Sequence, residues 1–519
     1  MTVIDSPEAL ARVMRTTYAP SDQQWAAISA PLSPAVVIAG AGSGKTTLMA
    51  ARVVYLVVTG QVRPDEVLGL TFTTKAASEL RRKIRDSLRD AGVLEEPEDA
   101  PADGRDDVLE PTVATYNAYA AGLLTDHGLR IGHEPDTRVI TDAARYQLGA
   151  RVVDRYTGDV RLLSDHPETV IQNLLALDSA MSEHLVGPEA VRALDADARA
   201  GFERALAEEM AGKGRVTYRE SVEKAISAID RRAELLGLVA SYRGLKADLG
   251  LMDFSDQIEL GARLAAEQAG VGELERARFK VVLLDEYQDT SVAQAVMLGR
   301  LFSGGHPVTA VGDPNQAIYG WRGASVSNIL NFADTFPAAD GAPVPTYPLT
   351  VNRRSDARIL EVANRLATPL YDKYGQVAPL VAKPEAEAGS VTARVFETHA
   401  EELDWLATAV REVHEASPDP GRWAKIGVLT RDNAHAEDVF DALTGAGIPV
   451  EIVGLSGLLR LPEVAEVVAT LHLLHDVTAN AALLALLTGP RWAIGPRDLR
   501  LLSRRALQIA GRQGRSADA

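Results

Sequence analysis

Two clusters of residues in this chain have the types and spacing to act on a phosphoanhydride. Residues 39–47 read AGAGSGKTT. Gly40, Gly42 and Gly44 let a backbone loop wrap its N–H groups around phosphate, with a helix starting underneath. Lys45 would neutralise the β- and γ-phosphates and the Thr46 hydroxyl would ligate Mg²⁺, with Ala39, Ala41, Ser43 and Thr47 completing the cradle. The strict pattern has glycine where this chain has Ala39. The second cluster ends the apolar run VVLL at Asp285-Glu286. Asp285 is placed to hold Mg²⁺, and Glu286 to orient and deprotonate an attacking water. A carboxylate pair there could also simply cap the following helix.

The elements that must position these groups are legible as well. Val36–Ala39, Val67–Thr71, Val281–Leu284 and Val308–Val311 are short aliphatic runs, each ending at a polar or glycine-rich loop. Such runs mark strands buried on both faces of a parallel sheet. Helical stretches over Thr46–Val58 and Lys75–Leu88 alternate with them, which implies an α/β domain with ligands beyond the carboxyl ends of the strands. From about Ala120 to Leu249 the pattern changes to long helices without strand signal, as expected of a helical insertion. Residues 386–460 return to α/β character in VTARVFE, IGVLTR and IPVEIVG. The stretch Val464–Arg515 is helical again.

Composition bounds the function. At 519 residues several domains are expected. A net charge of −17 argues against indiscriminate nucleic-acid binding but leaves room for a local track. Glu95 to Glu110 carries eight carboxylates and one arginine, a solvated loop in character. The absence of cysteine excludes disulfides and thiolate metal sites. No basic-then-apolar leader and no membrane-length apolar run is present, so a cytoplasmic protein without membrane partners is the expectation. His472 and His475 have helical spacing without a third ligand, and Arg81-Arg82-Lys83 and Arg504-Arg505 fit solvated helix faces.

Beyond the phosphate loop, four segments carry a specific likeness: DEYQDT (285–290), GDPNQAIYGWRGA (312–324), TFTTKAASEL (71–80) and SDQQWAAI around Gln24. In type and order they resemble motifs of the UvrD/Rep family of superfamily-one DNA helicases, from roughly Tyr18 to Glu463. GLTFTTKAA, TYNAYAAGLLTDHGLRIG and GLSGLLRLPEVAEVVATL are similar in particular to AdnB-like helicase–nuclease subunits. The resemblance implies a RecA-like P-loop NTPase motor over 15–355 with a helical insertion at about 121–250. It further implies a partial second RecA-like domain over 356–455 and the start of a second helical insertion over 456–519.

The activity implied is ATP- and Mg²⁺-dependent 3′→5′ translocation on single-stranded DNA and at single/double-strand junctions, in repair or recombination. The narrower likeness implies a second helicase–nuclease subunit as partner. By the same resemblance Gln24 recognises the adenine edge, and Gln316 contacts the γ-phosphate and reports it to the DNA site. Arg354, in Asn352-Arg353-Arg354-Ser355, is the finger from the second motor domain. Arg353 stands where the family stacks a tyrosine on adenine, and a guanidinium can also stack. Phe72, Tyr116, Tyr319 and Trp321 would stack bases, with Thr73 and Arg322 as polar partners. Phe72 and Tyr116 fit core positions equally well. The family's Thr-Phe-His-Ser is Thr115-Tyr116-Asn117-Ala118 here, which implies a weaker grip. Asp253-Phe254-Ser255-Asp256 would organise the return from the insertion. The family's Lys-Gly-Leu-Glu-type and Leu-Thr-Arg-type segments are not found between Ser355 and Ala519 in the expected context. A truncated motor that binds nucleotide and strand without unwinding is therefore the alternative expectation.

Overall fold

The computed structural model describes residues 4–94, 110–211, 216–416, 419, 421–452 and 462–516. It divides into two units, residues 1–391 and 392–519. The acidic segment 95–109 and residues 454–461 of the AdnB-like stretch lie outside the described residues.

The first unit opens with helices α1 (Pro7–Val13) and α2 (Asp22–Ile28). Strand β1 (Ala35–Ala39) and α3 (Lys45–Val58) follow, then β2 (Val67–Thr71), α4 (Thr74–Asp90), β3 (Thr112–Thr115) and α5 (Tyr116–His127). A largely helical segment comes next: β4 (Arg138–Val139), α6 (Asp142–Arg155), α7 (Pro167–Glu183), α8 (Pro188–Ala211), α9 (Val216–Asp248) and β5 (Leu251–Met252). The chain returns through α10 (Phe254–Glu267), α11 (Ala269–Arg278), β6 (Val281–Leu284), α12 (Val292–Leu301) and β7 (Val308–Gly312). Short helices α13 (Ser327–Leu330) and α14 (Phe332–Thr335) precede β8 (Thr346–Leu349), β9 (Val351–Asn352), α15 (Ala357–Lys373) and β10 (Val381–Ala382).

Six strands form one parallel sheet in the order β3-β2-β6-β7-β1-β8. Its two-residue periodicity sends Val36, Ile38, Leu68, Leu70, Val282 and Leu284 into one apolar layer with α5, α10 and α12. Val37, Ala39, Val67, Val281, Leu283 and Val311 enter the opposite layer with α3 and α4. Both faces are covered, which is why the central strands read as unbroken apolar runs.

The helical insertion has its own core around Leu174, Leu236, Val239 and Tyr242, beginning at Ile140. Helix α5 belongs instead to the sheet, because Tyr119, Ala120, Leu123 and Leu124 pack into the first layer. The separate helical core thus starts later than residue 121. A strand pair, Arg138↔Leu251 and Val139↔Met252, closes its neck where the sequence showed no strand signal.

The second unit contains α16 (His399–Glu415), α17 (Asn433–Gly445), α18 (Pro462–His475), α19 (Asn480–Thr488) and α20 (Pro496–Ser516). Ala407, Val410, Leu443 and Ile448 form a small core. Among its described residues the segments expected as strands make no ladder. Val395 is 99% exposed and Leu429 98%, so neither has the covered faces that a buried parallel strand requires. His472 and His475 sit exposed on α18. No helix among the described residues is long and apolar enough to cross a membrane.

Candidate nucleotide site and nucleic-acid interface

The glycine loop joins β1 to α3 as the spacing requires. Gly42 and Gly44 adopt φ of 68° and 89°, which side chains with a Cβ disfavour. Ser43 is buried, and its hydroxyl donates to the Gly40 carbonyl at 2.7 Å, so it shapes the turn from inside. Lys45 opens α3 and reaches across the sheet ends to Glu286, Nζ to Oε2 3.1 Å. The Thr47 hydroxyl accepts from Lys83 at 2.6 Å and Thr46 is half-buried one position earlier.

The carboxylate pair lies at the carboxyl end of β6. Asp285 is 5% exposed; its Oδ2 accepts from the Thr71 hydroxyl at 3.1 Å, while Oδ1 is buried with no protein partner. Burial, with the neighbouring Glu286 charge, raises its carboxyl to about 6 against the opposing pull of Lys45. Glu286 occupies the left-handed region at φ 47°, a conformation that costs a non-glycine residue on the order of 1 kcal/mol. An orphaned, desolvated carboxylate oxygen beside Lys45 and below a left-handed glycine loop is a donor set that fits Mg²⁺ and a phosphate chain.

A buried polar relay leaves this pair. Gln288, 1% exposed, donates through Nε2 to Glu286 Oε2 at 2.8 Å and to Asp289 Oδ2 at 3.0 Å; its Oε1 accepts from the Asp313 amide at 3.1 Å. Asp313 Oδ2 then accepts from Gln316 Nε2 at 2.6 Å. Asp289 Oδ1 accepts from the Ile318 amide at 3.2 Å, at the root of the aromatic loop. There the Phe72 and Tyr319 rings lie 4.4 Å apart, Tyr319 and Trp321 6.4 Å apart, and Arg322 sits 4.6 Å over the Trp321 ring. Trp321 is 74% exposed. Exposed Thr73 caps α4, its hydroxyl accepting from the Ala76 amide at 3.1 Å.

The structure decides between the two alternatives at Tyr116 and gives Gln24 partners within the protein. Tyr116 is 1% exposed, and its hydroxyl donates to the Asp285 carbonyl at 2.8 Å. Its ring is closed to bases and braces the carboxylate strand instead. Gln24, expected to read adenine, closes a capping box on Ser21 and donates to the Ser43 carbonyl at 3.1 Å. Each end of its amide thus has one partner inside the protein, and the Nε2 group keeps a second hydrogen. Arg353 and Arg354 lie exposed against the loop: the Arg353 amide donates to the Gly42 carbonyl at 2.9 Å, and a Cβ on Gly42 would meet Arg354 Cβ at 2.9 Å. Asn352 brings them there, donating to the Ala41 carbonyl at 2.6 Å and accepting from the Arg354 and Ser355 amides. The bracing roles of Asn352 and Asp313 escape sequence reasoning, because an asparagine or aspartate at a loop gives no sign of which distant backbone it will hold. Of the basic cluster on α4, the Arg81 guanidinium donates to the Val113 carbonyl and Lys83 is spent on Thr47.

Comparison with known proteins agrees with this geometry. The UvrD/REP helicase N-terminal domain matches residues 21–337, and the UvrD-like helicase C-terminal domain matches residues 347–511. The chain belongs to the UvrD/REP helicase family. Among its relatives, the ATP-dependent DNA helicase PcrA of Leuconostoc citreum is 26% identical over 479 residues, 92% of this chain and 56% of the relative. The ATP-dependent DNA helicase UvrD2 of Mycobacterium tuberculosis is 28% identical over 475 residues, 89% of this chain and 59% of the relative. DNA helicase II of Escherichia coli is 25% identical over 481 residues, 92% of this chain and 57% of the relative. This UvrD/REP family chain therefore spans less than three fifths of the length of these relatives.

Proposed function

We propose that this chain is the motor of an ATP-driven helicase that moves 3′→5′ on single-stranded DNA in repair or recombination, acting at single/double-strand junctions in the cytoplasm. The observation that carries the reading is the branched relay from Glu286 through Gln288, which reaches Asp313 and Gln316 on one arm and, through Asp289, the Ile318 amide at the root of the aromatic loop on the other. Glu286 accepts a proton from the attacking water, and Lys45 exchanges its carboxylate partner for phosphate oxygens. Asp285 and Thr46 would hold Mg²⁺, which would supply charge neutralisation at the phosphates. Arg354 approaches from the Gly42 side to neutralise transition-state charge. Gln24 contributes by bracing Ser43, and Arg353 offers a planar surface to the base. Phe72, Tyr319 and Trp321 supply stacking area, with Thr73 and Arg322 facing the strand backbone.

Glu286→Gln tests the chemistry. The amide keeps the contact to Gln288 but cannot take a proton, so steady-state ATP turnover should fall by roughly 10²–10⁴-fold, while binding of a fluorescent ATP analogue stays within twofold. Turnover at the wild-type rate would remove Glu286 from the mechanism. Displacement of a labelled strand from duplexes with 3′ or 5′ tails reads out polarity.

The AdnB-like segments support a second helicase–nuclease subunit as partner.

A further inference from the structure

The aromatic loop is gripped from two sides. On the nucleotide side, Asp289 holds the Ile318 amide. On the other side, the last residue of α7 in the helical insertion, Glu183, comes up against Gly323. Gly323 has φ of 73°, and a Cβ there would lie 2.6 Å from Glu183 Cβ and 3.2 Å from its Cγ. No other residue type allows this approach. The Glu183 carboxylate is half-buried and accepts from a serine hydroxyl of another element. It is Ser255 at the start of α10, 3.2 Å away. Ser291, which caps α12 directly after the DEYQDT turn, pairs with Ala324 in an isolated antiparallel bridge and so ties the loop from the sheet side. Arg322, the cation stacked on Trp321, contributes a favourable field at Glu183.

One side chain therefore joins three parts: the helical insertion that carries it, α10 through its carboxylate, and, through its Cβ and Cγ, the corner of the loop that exposes Trp321. Ser182, one residue earlier, donates to Glu259 of α10 at 2.5 Å, so the end of α7 is itself fixed. We propose that Glu183 is a positioning residue for strand binding, anchoring the Gly323 corner so that Trp321 and Arg322 remain presented to single-stranded DNA. This rests on the reading of the aromatic loop as the strand platform. Without the anchor the loop keeps its Asp289 attachment and its bridge to Ser291 but loses its packing on α7, and ordering the Gly323 corner becomes a cost of binding.

The test uses the full chain with Glu183→Ala, Glu183→Gln and Trp321→Ala. It measures anisotropy of a fluorescein-labelled oligothymidylate, binding of a fluorescent ATP analogue, and hydrogen exchange of the peptide covering 318–324. Glu183→Ala should weaken oligothymidylate binding on the order of tenfold, about 1.4 kcal/mol. It should speed exchange in 318–324 and leave nucleotide affinity within about twofold, because no ATP-site contact is touched. Glu183→Gln, which keeps the stem against Gly323 and whose amide oxygen accepts the Ser255 hydroxyl, should recover most of both losses. Unchanged exchange and strand affinity in Glu183→Ala would overturn the proposal. Parallel loss of strand and nucleotide affinity that Gln fails to rescue would reduce Glu183 to fold maintenance and overturn it equally. Strand binding by Trp321→Ala equal to wild type would instead overturn the platform reading beneath it.

Discussion

Asp285 shows how one residue trades stability for chemistry. Its Oδ1 is buried without a partner, and its carboxyl is raised to about 6 from an ordinary value near 4. The folded state thus holds the proton more tightly than the unfolded chain does. Below the unfolded value both states are protonated and the group is neutral in its effect. As pH rises from about 4 to 6 the unfolded chain ionises first, so the fold loses stability, and above 6 the penalty is constant, on the order of 2–3 kcal/mol. Asp285→Asn keeps an oxygen for the Thr71 hydroxyl and removes the charge. The variant should melt several degrees above wild type at pH 7 without Mg²⁺, with the gain shrinking toward zero at pH 4, while ATP turnover is lost. Equal melting temperatures at pH 7 would mean that water already solvates Oδ1.

At the scale of elements, what the sequence revealed and what it concealed follow from coverage. Strands β1, β2, β6 and β7 are central, apolar on both faces and end at polar loops, so their residue types alone mark them. The two edges, β3 (TVAT) and β8 (TYPL), are only half covered, and β8 carries Pro348, which an edge tolerates because one side of the strand needs no partner. Neither has a pattern that distinguishes it from a loop. The phosphate loop was legible because it is local. Tyr116 was legible only as two equal alternatives, base platform or core, because what decides between them is a carbonyl 169 residues away. Arg52 is a further element-scale device with no sequence signal. It is 1% exposed on α3, and its guanidinium donates to the carbonyls of Ala27, Ile28, Ala30 and Pro31 at 3.0–3.3 Å. Burial without a carboxylate partner lowers it to about 10. It ties the end of α2 to α3, and the same two helices hold Gln24 and Lys45 around the glycine loop. Arg52→Met would leave those carbonyls without donors and should cost about 2–4 kcal/mol in urea unfolding. A loss below 0.5 kcal/mol would show that water replaces the guanidinium.

At the scale of the whole first unit, the insertion is joined to the sheet by a charge cluster. Asp178 of α7 converges with Asp253 and Asp256 at the DFSD turn, their oxygens within 4.8 Å of one another, a spacing that would suit a metal. The cation there is Lys246 of α9, at 3.0, 3.3 and 2.8 Å from the three carboxylates. Arg145 and Arg243 add ion pairs to Asp253 and Asp178. Burial alone would lower the lysine, but the three carboxylates outweigh it and hold the ammonium well above its usual value. DFSD was expected to organise the return from the insertion, and in the structure Asp253 caps α10 while meeting cations from α6 and α9. Removing Lys246 leaves buried negative charge in excess, which typically costs 3–5 kcal/mol when one partner of a buried pair is lost. That cost falls on the junction rather than on the sheet. Lys246→Met should therefore accelerate hydrogen exchange in α6, α7 and α9 while β1, β6 and α3 keep their protection, and nucleotide affinity should change less than strand affinity, because α7 also carries Glu183 to the aromatic loop. Uniformly faster exchange across sheet and insertion would show that the two cores unfold as one cooperative body.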